Sequence, residues 1–412
     1  MYNLIGMDIK IKKQDYCKFR VIDFIRTNPG VSRQNIGKQL HLSPATITNF
    51  AGDLIKHKII QEIGQSASTG GRKPIALSVI PKIGYAIGVD MEARINIRIS
   101  IVDFAMNLVA TKKMSIGNIK DANKIASNLV ELIRKLIKEN KINIAHIIGI
   151  GIGFPLLVNV KNNIHSHLNR GYLLQTSIKE VLEKNFSIPM SIDTNGRTPL
   201  VAEQYIGAGR ESKDFLFLLV RYGIVLGVVI DSKIYSGMNG IAGEVGHTIL
   251  FNNAIQCECG AKGCIEAWNS GKSILNEVKQ VIKKSSGTEL SKEIIAKKDK
   301  ITLNDVIYEA KKGNKFVLSL FEKLAKNTGI LIANLINIFN PEKVIISGIL
   351  NDFENKVRTL IERKIRAHAI EEARVNLEII FSKSGEYTGA IGAGILAINS
   401  DSHQFIKRRY YS

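Results

Sequence analysis

The chain has 412 residues, too many for one core of ordinary size, so two or three domains are expected. Its 45% hydrophobic and 23% charged content is that of a soluble globular protein, and the lack of an apolar run long enough to span a bilayer excludes membrane insertion. The formal net charge of +20 favours a polyanionic partner, although lysines are spread along the whole chain and part of the excess is compositional.

The first eighty residues read as a DNA reader. Phe19, Ile22 and Phe24/Ile25 repeat at helical spacing over residues 18–28, and Asn28-Pro29-Gly30 stops that helix. Ser32 is an N-cap for a short helix from Arg33, with Ile36 and Leu40 turned inward. His41-Leu42 makes a tight turn, and Ser43-Pro44 opens a third helix with Ile47, Phe50/Ala51, Leu54 and Ile55 as its buried stripe. Three helices with a short turn between the last two predict a helix-turn-helix. Ala45, Thr46, Thr48 and Asn49 lie on the exposed face of the third helix, where small and amide side chains suit base edges and thymine methyls. Residues 59–63 and 73–79 read as a two-stranded wing. Its tip carries Arg72 and Lys73, a basic hook for a minor groove. Arg33 and Ser43 complete the expected DNA-binding set. Up to Ile80, twelve Lys/Arg against five Asp/Glu leave +7.

From Ile83 the pattern changes. Residues 85–90 and 94–103 alternate like paired strands, and 119–140 carries a helical stripe of Ile125, Leu129, Leu132, Ile133 and Leu136. Residues 146–153 and 188–193 are further strands, with a helix over 198–205. Residues 215–220 and 224–231 form a hairpin, 343–348 is a late strand, and 389–398 is a Gly-rich helix. Strands alternating with helices predict an α/β protein. No internal repeat is evident. Lys407-Arg408-Arg409 closes an expected solvated basic tail, 401–412.

The densest chemistry lies in Gly243-Glu244-Val245-Gly246-His247 and the following Cys257-Glu258-Cys259-Gly260-Ala261-Lys262-Gly263-Cys264-Ile265-Glu266. Three of the four cysteines fall within eight positions, with His247 ten residues upstream. His247, Cys257, Cys259 and Cys264 are a ligand set for one structural Zn2+, and the glycines let a short loop fold round it. The metal would fix Glu244 and Glu266 near the loop ends, as a pocket for a hydroxyl-rich ligand requires. Cys17 reads as a packing thiol. Four cysteines in all, and a charged stretch 1–13 without a signal-peptide core, fit a cytoplasmic protein.

The His–Cys–Cys–Cys loop, the Glu244-to-His247 element and the strand end at Asp193 resemble the ROK family of repressors, open reading frames and sugar kinases, over about residues 83–398. With the N-terminal reader, the chain resembles the family's transcriptional regulators. The resemblance implies a winged helix-turn-helix over 1–80 and a two-lobed, actin-like (ribonuclease-H-like) sugar-sensing domain over 81–400. Lobe 1 would be about 81–200 plus 386–400, and lobe 2 about 201–385. It also implies a sugar site lined by Asp193, Glu244, His247 and Glu266. Asp193 stands where the family keeps its catalytic base, but Ile192 replaces the Asn that precedes that base and contacts sugar.

Kinases of the family cradle phosphates with three Gly-rich turns, because backbone N–H groups must approach the phosphates with no side chain between. Here the first reads Asp90-Met91-Glu92-Ala93-Arg94, the second Arg221-Tyr222-Gly223-Ile224-Val225-Leu226-Gly227, and the third Ser347-Gly348. Bulk at all three argues against ATP and for a degenerate, non-enzymatic sensor. The expected partners are double-stranded operator DNA and a mono- or amino-sugar or its phosphate, with the protein a homodimer or homotetramer. Two other readings stay open: a sugar kinase with an accessory DNA domain, and a repressor controlled by a protein partner at the zinc loop.

Overall fold

The computed structural model describes residues 13–65, 74–92, 96–116, 119, 121–155, 158–159, 164–165, 169–252, 254–284 and 290–410. They form two compact units, Met1–Ile206 with Gly385–Ser412, and Gly207–Ser384.

The N-terminal segment is α1 (Lys13–Thr27), β1 (Val31–Ser32), α2 (Arg33–Leu40), α3 (Pro44–Lys56), β2 (Ile60–Gln65) and β3 (Ile75–Val79). Helix α1 begins five residues before the expected 18. It ends where the Asn28 side chain takes the Phe24 carbonyl at 3.0 Å and Gly30 turns at φ +89°. Ser32 caps α2 by accepting from the Asn35 N–H, and His41 ends that helix in the left-handed conformation. Ser43 caps α3, with Pro44 at its first position. Ile22 and Ile25 of α1, Ile36 of α2, and Ile47 and Leu54 of α3 are buried, each at most 2% exposed. The three strands form an antiparallel sheet in the order β1-β3-β2.

The remainder of the first unit is β4 (Tyr85–Glu92), β5 (Asn96–Asp103), β6 (Leu108–Ser115), α4 (Ala122–Glu139), β7 (Ile147–Phe154), β8 (Val158–Asn159), β9 (Ile164–His165), α5 (Asn169–Phe186), β10 (Met190–Thr194) and α6 (Arg197–Ile206). The second unit is β11 (Phe215–Val220), β12 (Ile224–Ile230), β13 (Lys233–Ile234), α7 (Ile265–Trp268), α8 (Gly271–Lys283), α9 (Lys292–Lys297), α10 (Leu303–Lys311), α11 (Lys315–Phe339), β14 (Lys343–Gly348), α12 (Glu354–His368) and β15 (Glu378–Phe381). The chain then returns to the first unit as α13 (Thr388–Tyr410).

The two five-stranded sheets run in the orders β10-β7-β4-β5-β6 and β13-β12-β11-β14-β15. Each has three antiparallel strands in sequence, followed by two strands added parallel on the other side of the first. One topology is therefore used twice, a repeat that the side chains conceal. Strands β5 and β7 are buried at every residue, because α4 covers one face of that sheet and α13 the other.

Helix α13 lies so close to the sheet that a Cβ on Gly88 would stand 1.8 Å from the Ala390 carbonyl oxygen. A Cβ on Gly392 would stand 1.7 Å from the carbonyl oxygen of Thr198, so α6 and α13 touch backbone to backbone. For this reason the first unit keeps the chain through Ile206, where the sequence placed the lobe boundary near 200. Of the solvated tail expected at 401–412, Lys407, Arg408 and Arg409 are exposed, but the segment to Tyr410 is helical and partly buried. Helix α13 runs on to Tyr410, with Ile398, Ser402 and Ile406 spaced by four on its buried face. No described helix is long and apolar enough to cross a membrane.

Candidate metal centre and ligand site

The metal-loop residues belong to the second unit. His247 closes a short 3-10 turn, Val245–His247, after Gly243, whose φ of +97° and lack of a Cβ let it press on the Leu226 carbonyl. The cysteine loop is a tight turn. The Gly260 N–H bonds the Cys257 carbonyl at 3.1 Å, the Cys257 N–H bonds that of Ala261 at 2.9 Å, and Gly260 takes φ +94°. Cys264 is held beside the His247 segment by an isolated bridge to Ile249.

This brings one ligand atom each from His247, Cys257, Cys259 and Cys264 within 4.8 Å of one another. Cys257 Sγ lies 3.7 Å from His247 Nδ1, and Cys259 Sγ lies 3.6 Å from Cys264 Sγ. Tetrahedral zinc, with bonds of about 2.0–2.3 Å, separates its ligands by about 3.4–3.8 Å, the separation at which the Cys257–His247 and Cys259–Cys264 pairs stand. Burial, reinforced by the neighbouring thiols, pushes the Cys264 thiol up to about 12, while the Ala261 backbone N–H holds that of Cys259 below its usual value. A metal bound here would have to displace the thiol protons, because the thiolate and not the thiol is the ligand.

Glu244 and Glu266 flank the cluster. With Nδ1 on the cysteine side, His247 turns Nε2 towards Glu244, 3.9 Å from Oε2. Glu266 Oε2 accepts the Ile224 backbone N–H at 2.9 Å. It fits because residue 223 is glycine, where a Cβ would stand 2.2 Å from that oxygen. The second of the three turns compared with phosphate loops thus gives its Ile224 N–H to an acid of the chain itself. At the third, Gly348 takes φ +100° and packs on the Val220 carbonyl, with Arg221 beside it.

Asp193 lies in the first unit at the end of β10. Its Oδ1 accepts from Arg197 Nε at 2.8 Å and from the Thr194 N–H at 2.7 Å. Burial raises its pKa and Arg197 opposes the rise. Arg197, four residues on at the start of α6, was not singled out in the sequence. Its signal was the i,i+4 spacing across a strand-to-helix turn. Arg98 was missed as well. It pairs with Glu92 at 2.6 Å and Glu386 at 3.4 Å, beside the first of the three turns, so that end of β4 carries a closed ion cluster. Ala93 and Arg94 of that turn lie outside the described residues.

In the N-terminal segment Ala45, Thr48 and Asn49 are exposed and Thr46 is half-buried. The Ser43 and Thr46 hydroxyls lie 2.8 Å apart at the α3 cap, and the Thr48 hydroxyl donates to the Pro44 carbonyl at 2.8 Å. Arg33 pairs with Glu62 of β2 at 2.7 Å. Arg72 and Lys73 lie outside the described residues. Cys17 is half-buried on α1.

Two units of this repeated topology, one bearing a loop of one histidine and three cysteines, define an actin-like sugar-kinase fold with mixed α/β sheets. The chain belongs to the ROK family, whose pattern residues 86–400 match. It is 30% identical over 387 residues to the xylose repressor of Caldicellulosiruptor bescii, covering 93% of this chain and 95% of that protein. It is 26% identical over 363 residues to the DNA-binding transcriptional dual regulator NagC of Escherichia coli K12, covering 88% and 87%. Among solved structures, a ROK family transcriptional regulator described as a homologue of the E. coli MLC protein superposes with a TM-score of 0.77 at 22% identity, covering 97% of this chain and 99% of that one. A ROK family glucokinase from Streptomyces griseus, solved with glucose and AMPPNP, superposes with 0.61 at 23% identity over 76% of this chain and 99% of its own.

Proposed function

We propose that the protein is a sugar-responsive, DNA-binding transcriptional repressor of carbohydrate genes, with a kinase-like domain that senses and does not phosphorylate. One observation carries the reading: the His247 loop keeps its full ligand set and both flanking carboxylates, while Glu266 occupies the Gly223 turn that a phosphate loop would leave open. The end-to-end match to a xylose repressor supports it.

The three helices and the β2–β3 hairpin act as a winged helix-turn-helix, with Ala45, Thr48 and Asn49 offered to base edges and Arg72 and Lys73 at the wing tip to the minor groove. Ser43 and Thr46 order the start of the reading helix. Operator half-sites about one helical turn apart would be read by a homodimer or homotetramer.

His247, Cys257, Cys259 and Cys264 would hold a structural Zn2+. Bound there, the ion supplies cross-linking of the loop and no chemistry. Glu244, Glu266 and His247 then accept and donate hydrogen bonds to the hydroxyls of a mono- or amino-sugar or its phosphate. The sugar changes operator affinity by binding one conformational state better than another.

Calorimetric titration of the purified chain with D-xylose and N-acetyl-D-glucosamine, run beside an assay with ATP and each sugar, tests the reading. Sugar binding without phosphate transfer is expected. ATP-dependent phosphorylation of either sugar would replace this reading with the kinase one.

A further inference from the structure

One buried cation joins the N-terminal segment to the rest of the first unit. Arg26 is on α1 and is only 5% exposed. Its Nη2 donates to Asp23 Oδ1 and to Asn399 Oδ1 of α13, both at 2.9 Å. The guanidinium lies over the Phe104 ring, at the β5–β6 turn, with 5.4 Å to the centroid. Phe19 of α1 stacks on His403 of α13 with centroids 4.4 Å apart, and His403 Nε2 is 3.5 Å from Asp23 Oδ2. Tyr205, near the end of α6, lies beside the same cluster, in the field of Arg26 and Asp23 and next to Asn399. Arg26 Nε and Nη1 are buried with no hydrogen-bond partner among the described residues.

A guanidinium is removed from water only where geometry holds its partners in place, and a plane laid on an aromatic ring with an amide and a carboxylate at one edge is directional. A loosely tethered domain would leave such an arginine hydrated. Helix α6 begins at Arg197, paired with Asp193, and carries Tyr205, beside Arg26, in its last turn. Over its length it is locked to α13 through Thr198 and Gly392.

We propose that the Arg26–Asn399–Tyr205 cluster is a rigid joint that fixes the DNA reader to the first unit, so that the reader follows α6 and α13 as one body. The regulatory meaning rests on the sugar-sensing reading; the rigidity does not. A sugar that acts on the Asp193 end of α6 then moves the reader by moving the unit, and the connection transmits instead of absorbing the change.

The test uses the full chain without DNA or sugar. Spin labels on unnatural amino acids replace exposed Lys38 of α2 and Lys135 of α4, and the distance distribution between them is measured by pulsed electron resonance. A single narrow distribution is expected, at least doubling in width in Arg26→Ala and broadening less in Arg26→Lys, which keeps charge but not the planar fork. Asn399→Ala and Tyr205→Phe serve if Arg26→Ala folds poorly. A broad wild-type distribution, or variants as narrow as wild type, would overturn the joint whatever the ligand proves to be. Where D-xylose shifts wild-type operator affinity, Arg26→Ala is expected to bring the ratio of affinities with and without sugar towards one; an unchanged ratio would remove the joint's regulatory role. A wild type that no sugar shifts counts against the sugar reading alone, because the distance measurement needs no ligand.

Discussion

His247 Nε2 faces Glu244 Oε2 at 3.9 Å while its Nδ1 faces Cys257 Sγ at 3.7 Å. One imidazole therefore ties the cysteine loop to a carboxylate proposed to bind sugar. A metal on Nδ1 fixes the ring plane, and the ring plane fixes what Glu244 meets.

The first prediction follows from that link. Cys259→Ser is expected to take zinc content from about one ion per chain to near zero, because three donors close a structural tetrahedral site poorly. It should also weaken sugar binding at least tenfold. Elemental analysis and calorimetry on the same sample check both, and zinc-free protein with undiminished sugar affinity would break the link.

On the reading helix, capping and contact should separate. Ser43→Ala is expected to cost about 1 kcal/mol of stability through the lost cap on the Thr46 N–H, seen in denaturant unfolding. Asn49→Ala should leave stability within about 0.5 kcal/mol and cost about 1–3 kcal/mol of operator binding. Arg33→Ala should cost less binding than Asn49→Ala, since Arg33 is engaged by Glu62.

The contact between α6 and α13 leaves no room for a methyl. Gly392→Ala is expected to destabilise the first unit by about 3 kcal/mol, at the upper end of ordinary overpacking, because the new Cβ would meet backbone that cannot swing aside. Gly313→Ala, at a left-handed turn with open space around it, should cost about 1 kcal/mol from conformation alone. Equal losses at the two sites in urea unfolding would contradict this account of the contact.

Asp193 titrates above its ordinary 3.8 because burial outweighs Arg197. The folded chain thus holds this proton more tightly than the unfolded chain. The resulting stabilisation is fully present below 3.8 and is lost as pH rises through the folded value. Carboxyl carbon NMR should show a midpoint above 3.8, moving further up in Arg197→Ala. A downward move would mean that Arg197 is not its main counter-charge.

Much of this architecture was legible in the chain. The caps at Ser32 and Ser43, the stripe Ile47–Phe50–Leu54 and the spacing of His247 and its three cysteines are local signals, and the structure places each of them as local rules require. What stayed hidden depends on contacts distant in sequence. Arg26 and Asn399 are 373 positions apart, and nothing near either marks the other. The repeated sheet topology was concealed because each five-strand unit meets the same backbone geometry with different apolar side chains. The tail was misread in part because Lys407, Arg408 and Arg409 advertise solvent, while Ser402 and Ile406 on the same helix face inward. The Asp193–Arg197 pair was within reach, four residues apart at a helix start.

The central claim is that sugar occupancy controls DNA binding. The most direct measurement is the affinity of the purified chain for its own promoter DNA at fixed salt, across a panel of pentoses, hexoses, amino sugars and their phosphates. Specific binding that one sugar shifts at least tenfold is the predicted result. Specific binding that no sugar changes, or no DNA binding at all, would contradict it.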